Sequence, residues 1–190
     1  MQEQDLAVII LAAGKGTRMQ NPLPKVLIPI FGKPIVEYVL DIAEKLCPAR
    51  TLVVVGYQAD RIQEKFAKRD LEFVLQEEQL GTGHAAYQTE KVLTNFEGNV
   101  LILCGDMPLI KGETLRQLIN RHKKLEAKCT LLTLKAGVSN DFGRIIRDDK
   151  GSILKIVEFR DASEKEKNVD EFNSGAVSYT HLTLPTILLV

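Results

Sequence analysis

Two glycines, three cations and one aspartate are the residues of this chain whose types and spacing suit anion chemistry. Gly14 and Gly16 stand in LAAGKGTRM, Leu11 to Met19, directly after the apolar run Ala7-Val8-Ile9-Ile10. Backbone N–H groups of a glycine loop approach an anion closely, and Lys15, Arg18 and Lys25 add positive charge along a segment that Pro22 and Pro24 stiffen. Cations spread in this way suit a triphosphate, or a pyrophosphate leaving group, better than a single phosphate. The loop is not a nucleotide-hydrolase P-loop, because Gly14 and Gly16 are too close together, and it is not a dinucleotide fingerprint, because Met19 stands where the third glycine belongs. Taken alone, it reads equally as a glycine-rich turn with solvated Lys and Arg.

Two further stretches shift that balance. Asp106 follows Gly105 and precedes Pro108, just past the apolar run Val100 to Leu103. A carboxylate there suits a Mg²⁺ ligand, and its alternative is a turn or cap aspartate. Gln76 and Gln79 lead into Leu80-Gly81-Thr82-Gly83-His84-Ala85, a loop that opens a helix. Side-chain amides carry both donor and acceptor, as reading a nucleobase edge requires, while the plainer reading is a polar loop with Thr82 as N-cap.

These residues need elements to hold them. Apolar runs of strand length at Leu6 to Leu11, Leu52 to Val55, Leu71 to Leu75, Val100 to Leu103 and Thr130 to Leu134 alternate with helix-period segments. The helices are expected after Pro34, with Ile35, Val39, Ile42 and Leu46 on one face, and over Ala59 to Arg69 and Thr82 to Phe96. A further helix has Leu115, Leu118, Ile119, His122 and Leu125 on its buried side, which makes His122 core-lining. Gly143 to Arg147 and Ser152 to Glu158 flank the turn Asp148-Asp149-Lys150-Gly151 and read as a hairpin; Ser163 to Glu166 reads as a capping box. The alternation predicts an α/β fold with a mostly parallel, doubly wound sheet, whose ligands bind at the carboxyl ends of the strands, where the glycine loop, Gln76 and Asp106 all fall.

Bulk composition narrows the class. A chain of 190 residues with 45% hydrophobic content can bury a core. Its 25 basic and 25 acidic residues cancel, which gives no pointer to nucleic acid or to an anionic membrane, so any anion site is local. Cys47, Cys104 and Cys129 match no metal or redox spacing, as in a reducing compartment. MQEQDLAVIIL has no basic leader region and too short an apolar run for a span, so the expected location is cytoplasmic.

LAAGKGTRM with PLPKVL, then QEEQLGTGHA, GDMPLI, FGRIIR, VEFRDAS and NSGA, in this order, resemble the uridylyltransferase domain of bacterial bifunctional UDP-N-acetylglucosamine pyrophosphorylase, the GlmU family. The resemblance runs from about Leu6 to Ala176. It implies a Rossmann-like doubly wound mixed sheet of the nucleotide-diphospho-sugar transferase type, C-terminally truncated. It implies UTP and N-acetylglucosamine-1-phosphate as substrates, Mg²⁺ as cofactor, and a product used for cell-envelope precursors. Carried over residue by residue, Leu11, Ala12, Gly14, Arg18 and Lys25 would hold the nucleotide phosphates, and Gln76, Gly81 and Thr82 would read the uracil. Asp106 would bind Mg²⁺, and Gly143, Glu158 and Asn173 would hold the sugar. Arg18, Lys25 and Asp106 would be the catalytic set, acting by positioning and charge neutralisation with no general base.

The chain also departs from the family. Its last fourteen residues, VSYTHLTLPTILLV, contain no Asp, Glu, Lys or Arg in a chain that is 26% charged, and VSYTHLTLPT resembles the translation of a sequencing-library adapter. The expected division is therefore an incomplete nucleotidyltransferase domain over 1–176 and a non-native tail over 177–190. Tyr179, Leu182, Leu184 and residues 187–190 would be exposed apolar surface unless they imitate a missing strand. The segment carrying the family's second Mg²⁺ ligand, an asparagine, and its β-helix acetyltransferase domain are expected to be missing, and trimerisation is not expected without that domain. Cys104 replaces an aromatic residue common in the family. The rival readings are a sugar-phosphate nucleotidylyltransferase using dTTP and glucose-1-phosphate, a non-catalytic homologue, and an inactive fragment of the enzyme.

Overall fold

The computed structural model describes residues 3–16, 19–135 and 141–180. The first strand, β1 (Glu3–Leu11), is apolar throughout its second half because both its faces are covered. Leu6, Val8 and Ile10 point to a core shared with α1 (Ile35–Glu44), α2 (Ala59–Phe66) and α4 (Gly112–Lys124). Ala7 and Ile9 point to a second core beneath α3 (Thr82–Tyr87) and the turns after it. A doubly wound sheet follows from that alternation.

In chain order the remaining strands are β2 (Pro29–Ile30), β3 (Lys33–Pro34), β4 (Pro48–Val55), β5 (Glu72–Leu75), β6 (Asn99–Cys104), β7 (Cys129–Lys135), β8 (Arg144–Arg147), β9 (Ile153–Val157) and β10 (Glu171–Thr180). A last short helix, α5 (Glu164–Lys167), has the expected capping box, with Glu166 N donating to Ser163 Oγ and Ser163 N to the Glu166 carboxylate. β2 and β3 form a separate small hairpin. The main sheet is ordered β5-β4-β1-β6-β10-β8-β9, with β7 also paired to β10. The block β5-β4-β1-β6 is parallel, while β10 runs antiparallel to β6, β7 and β8, so the mixed sheet expected from the resemblance is observed.

Leu11 lies level with Val54 on one side and Cys104 on the other. That register aligns the carboxyl ends of β1, β4 and β6 at one edge. The chain leaves β1 toward β4 and later returns to β6 on its other side, so the loops after β1 and β6 diverge at a topological switch point.

Three expectations need correction. The helix beginning at Thr82 stops at Tyr87 rather than Phe96, because the N–H groups of Thr89, Glu90, Val92 and Phe96 reach back three residues rather than four and the buried Thr89 hydroxyl donates to Ala86 O. The helix from Ala59 likewise ends at Phe66, not Arg69. Leu125 lies past the end of α4 and is exposed.

His122 is core-lining, as expected. Its Nδ1 is 2.8 Å from Thr130 Oγ1 and its Nε2 2.9 Å from Thr180 Oγ1, so the ring joins α4 to β7 and β10. Burial disfavours the imidazolium and lowers the His122 pKa from 6.5. The unfolded chain therefore binds this proton at a pH where the native state does not, so stability falls as pH drops below about 6.5. Urea midpoints should decline between about pH 7 and 5.5, and His122→Gln should flatten that decline. An unchanged pH dependence in the variant would remove this assignment.

Residue 177, where the foreign tail was expected to begin, lies inside β10. Val177 to Thr180 pair with Ile102 to Asn99 of β6, and Val177, Ser178 and Tyr179 are buried. Tyr179 is thus covered rather than exposed, because it occupies an interior strand position. Ser178 Oγ is buried with no hydrogen-bond partner among the described residues. Leu182, Leu184 and residues 187–190 lie outside the described residues.

Candidate active site

A cleft of about 380 Å³ opens at the aligned strand ends, lined by Leu11, Ala12, Gly14, Lys25, Gln76, Gly81, Thr82 and Asp106 among others. The nucleotide-side residues singled out in the sequence therefore share one place, with two exceptions: Lys15 is not on the cleft wall, and Arg18 lies outside the described residues.

The first loop is shaped by Gly16. Its φ of +68° suits glycine, and a Cβ there would lie 2.4 Å from Lys25 Cβ. Close approach of Gly16 to the lysine stem, with Pro24 leading into the 3₁₀ turn Lys25–Leu27, aims Lys25 into the cleft. Gly14, by contrast, has nothing within 4 Å of a would-be Cβ, so its backbone faces open space. Lys15 is placed differently from the expectation: its Nζ sits 5.2 Å from the Tyr57 ring centroid, and it does not line the cleft.

Lys25 Nζ and Asp106 Oδ2 meet at 2.6 Å, with the two side chains 39% and 34% exposed. The expected phosphate cation and the expected metal carboxylate thus face each other across the switch point. Cys104, also on the cleft wall, is pushed up to about 11 by burial and by the neighbouring Asp106 carboxylate, so it is a neutral thiol. No group of three or more His, Cys, Asp or Glu side chains that could hold a metal occurs among the described residues. Asp106 alone still fits Mg²⁺, a hard cation often held by one or two carboxylates with waters and substrate phosphates completing its shell.

On the opposite wall Gln76 is 3% exposed, and its Nε2 donates to Gly81 O at 3.2 Å and contacts His84 Nδ1 at 3.0 Å. His84 is the residue that sequence reasoning left without a task; it steadies Gln76, and its spacing on the first turn of α3 was the available signal. Gly81, with φ +107°, is the cap residue of α3, so the Thr82 hydroxyl makes no capping bond and stays on the cleft.

Gly143, Glu158 and Asn173 form a second group. Asn173 N donates to Gly143 O at 2.8 Å, and a Cβ on Gly143 would lie 3.5 Å from Glu158 Oε1. The NSGA motif that carries Asn173 is a bulge: the β10 register against β7 shifts between Asn173 and Val177, Gly175 has φ +79°, and Asn173 Oδ1 accepts from Gly175 N. A Cβ on Gly175 would lie 2.9 Å from Cys104 Sγ, so this bulge packs directly against the end of β6. Arg147 forks onto Glu171 at 2.7 Å on both oxygens, holding that carboxyl down at about 2 and fixing β8 to β10.

Among known proteins, the MobA-like NTP transferase domain matches residues 8–144. The bifunctional protein GlmU of Synechococcus sp. (strain RCC307) is 45% identical over 184 residues, which is 96% of this chain and 41% of that protein. The bifunctional protein GlmU of Desulfotalea psychrophila is 42% identical over 92% of this chain and 51% of its own length. This chain thus spans about half or less of the curated relatives it matches. A structure of UDP-glucose pyrophosphorylase complexed with UDP-glucose superposes with TM-score 0.74 at 19% identity, over 92% of this chain and 75% of that one. HddC from Yersinia pseudotuberculosis complexed with GMP-PN gives TM-score 0.70 at 22% identity, over 92% and 76%. These two likenesses establish the fold.

Proposed function

Because the chain belongs to the MobA-like NTP transferase domain family, we propose that it transfers the uridylyl group of UTP to N-acetylglucosamine-1-phosphate, releasing pyrophosphate. The product, UDP-N-acetylglucosamine, would serve cell-envelope synthesis in the cytoplasm. No helix among the described residues is long and apolar enough to cross a membrane. On this reading residues 1–176 are the incomplete catalytic domain and 177–190 a foreign segment, whose residues Val177 to Thr180 take a strand position.

The observation that carries the reading is the meeting of Lys25 and Asp106 in a cleft whose other walls are the open Gly14 backbone and the Gln76–Thr82 loop. Both substrates are anionic, so charge repulsion is the barrier, and the attacking phosphate oxygen needs no general base. That oxygen bonds to the α-phosphorus as the bond to the pyrophosphate oxygen breaks. Leu11, Ala12 and Gly14 line the phosphate path, and Lys25 with Arg18 stabilises the leaving pyrophosphate. Asp106 would hold Mg²⁺, which supplies charge neutralisation at the reacting phosphates. Gly143, Glu158 and Asn173 hold the sugar in line.

Gln76 gives the reading its base selectivity. With its Nε2 committed to Gly81 O and His84, its oxygen is left to accept the uracil N3–H, a proton that cytosine lacks. Calorimetric titration should show UTP binding about tenfold tighter than CTP, with Gln76→Ala bringing the two nearly level. Equal binding by the unmodified protein would refute uracil recognition here.

A further inference from the structure

We infer that Arg144 is the positioning residue of the sugar subsite, a role that rests on the assignment of Gly143, Glu158 and Asn173 proposed above. Arg144 is 1% exposed, an unusual place for a guanidinium. It packs against two rings, with its Cζ 4.8 Å from the Phe159 centroid and 4.5 Å from the Phe172 centroid. Its Nη1 donates to Phe142 O, and its Nε donates to Lys167 O at 3.2 Å.

Each of those three phenylalanines is the sequence neighbour of a sugar-site residue: Phe142 of Gly143, Phe159 of Glu158, and Phe172 of Asn173. One buried side chain therefore grips the residue beside every member of the group. The β8–β9 hairpin meets β10 through the pairing of Arg144 with Phe172 and the bond from Asn173 N to Gly143 O. Gly143 and Glu158 flank that hairpin, whereas Asn173 belongs to β10, the strand beside β6 and Asp106. Arg144 sets the position of the first two relative to the third. A flat guanidinium can stack on both rings while its edge donates two hydrogen bonds; an ammonium cannot do both.

The test compares the unmodified protein with Arg144→Lys and Phe159→Leu, by pyrophosphate release with UTP and N-acetylglucosamine-1-phosphate varied in turn. Thermal melting checks that each variant is folded. Arg144→Lys should raise KM for the sugar phosphate about tenfold while KM for UTP stays within about twofold, and Phe159→Leu should move the same parameter less. Unchanged sugar KM, or equal shifts in both KM values, in a folded variant would overturn the inference. No release by the unmodified protein would mean that the functional proposal has failed, and the clamp is then read by hydrogen exchange. Arg144→Lys should speed exchange at Asn173 N–H about tenfold and leave Ala12 N–H, bonded to Val54 O, unaffected. Equal protection at Asn173 in the two proteins would overturn it.

Discussion

Asp106→Ala should lower the rate of pyrophosphate release by about a thousandfold, the upper range for loss of one preorganised electrostatic contact. Asp106 stands at the end of β6, where the register with β1 brings it beside the first loop, and it is the carboxylate that lines the cleft. Its removal takes away the oxygen donor proposed for Mg²⁺ and leaves Lys25 without its ion-pair partner. The pair is over one-third exposed on both sides, so its net contribution to stability is at most about 1 kcal/mol. The variant should therefore melt close to the unmodified protein, and the rate loss is a loss of chemistry. Raised Mg²⁺ should recover part of the rate if the anchor role is right. A rate within about threefold of normal would end the assignment.

Lys25→Ala comes second, with an expected loss of about a hundredfold, mainly in kcat. A lysine that binds the ground-state triphosphate and the departing pyrophosphate equally would change KM alone; one that meets charge developing on the leaving oxygen changes kcat. Geometry favours the second role, because the close contact of Gly16 with the lysine stem delivers the ammonium to the Asp106 side of the cleft, where the metal and the reacting phosphates are proposed to meet. The kcat and KM of the variant, measured at saturating sugar phosphate, separate the two. A KM effect with unchanged kcat would make Lys25 a binding residue only.

Much of this arrangement was legible because sheet physics writes it into short segments. The run Leu6 to Leu11 reads as a strand buried on both faces, and the structure covers it on both. The glycine loop, the amide loop and Asp106 could each be found by residue type, and their placement after strands predicted a shared edge. What spacing does not carry is register: the cleft exists because Leu11, Val54 and Cys104 lie level. Lys15 was read as a phosphate cation by proximity to the glycines, yet Tyr57, brought alongside by the β1–β4 pairing, holds its ammonium. Arg144 was hidden for a related reason. In the stretch RIIR it looks like the polar end of a hairpin strand, and only tertiary packing brings the Phe159 and Phe172 rings against its guanidinium.

The tail gives the opposite lesson. Composition marks a change at Val177, but the alternation of Val177 and Tyr179 with Ser178 suits a strand between two sheet faces whatever its origin. The polar member of that alternation, Ser178, is buried with its hydroxyl unpartnered among the described residues. The same strand is joined to α4 through His122 and Thr180.

The central claim is tested most directly by pyrophosphate release from this 190-residue chain with Mg²⁺, crossing UTP, dTTP and CTP against N-acetylglucosamine-1-phosphate and glucose-1-phosphate. The account predicts release with UTP and N-acetylglucosamine-1-phosphate well above every other pairing, and its loss without Mg²⁺. Preference for dTTP with glucose-1-phosphate, or silence across all six pairings, would contradict it.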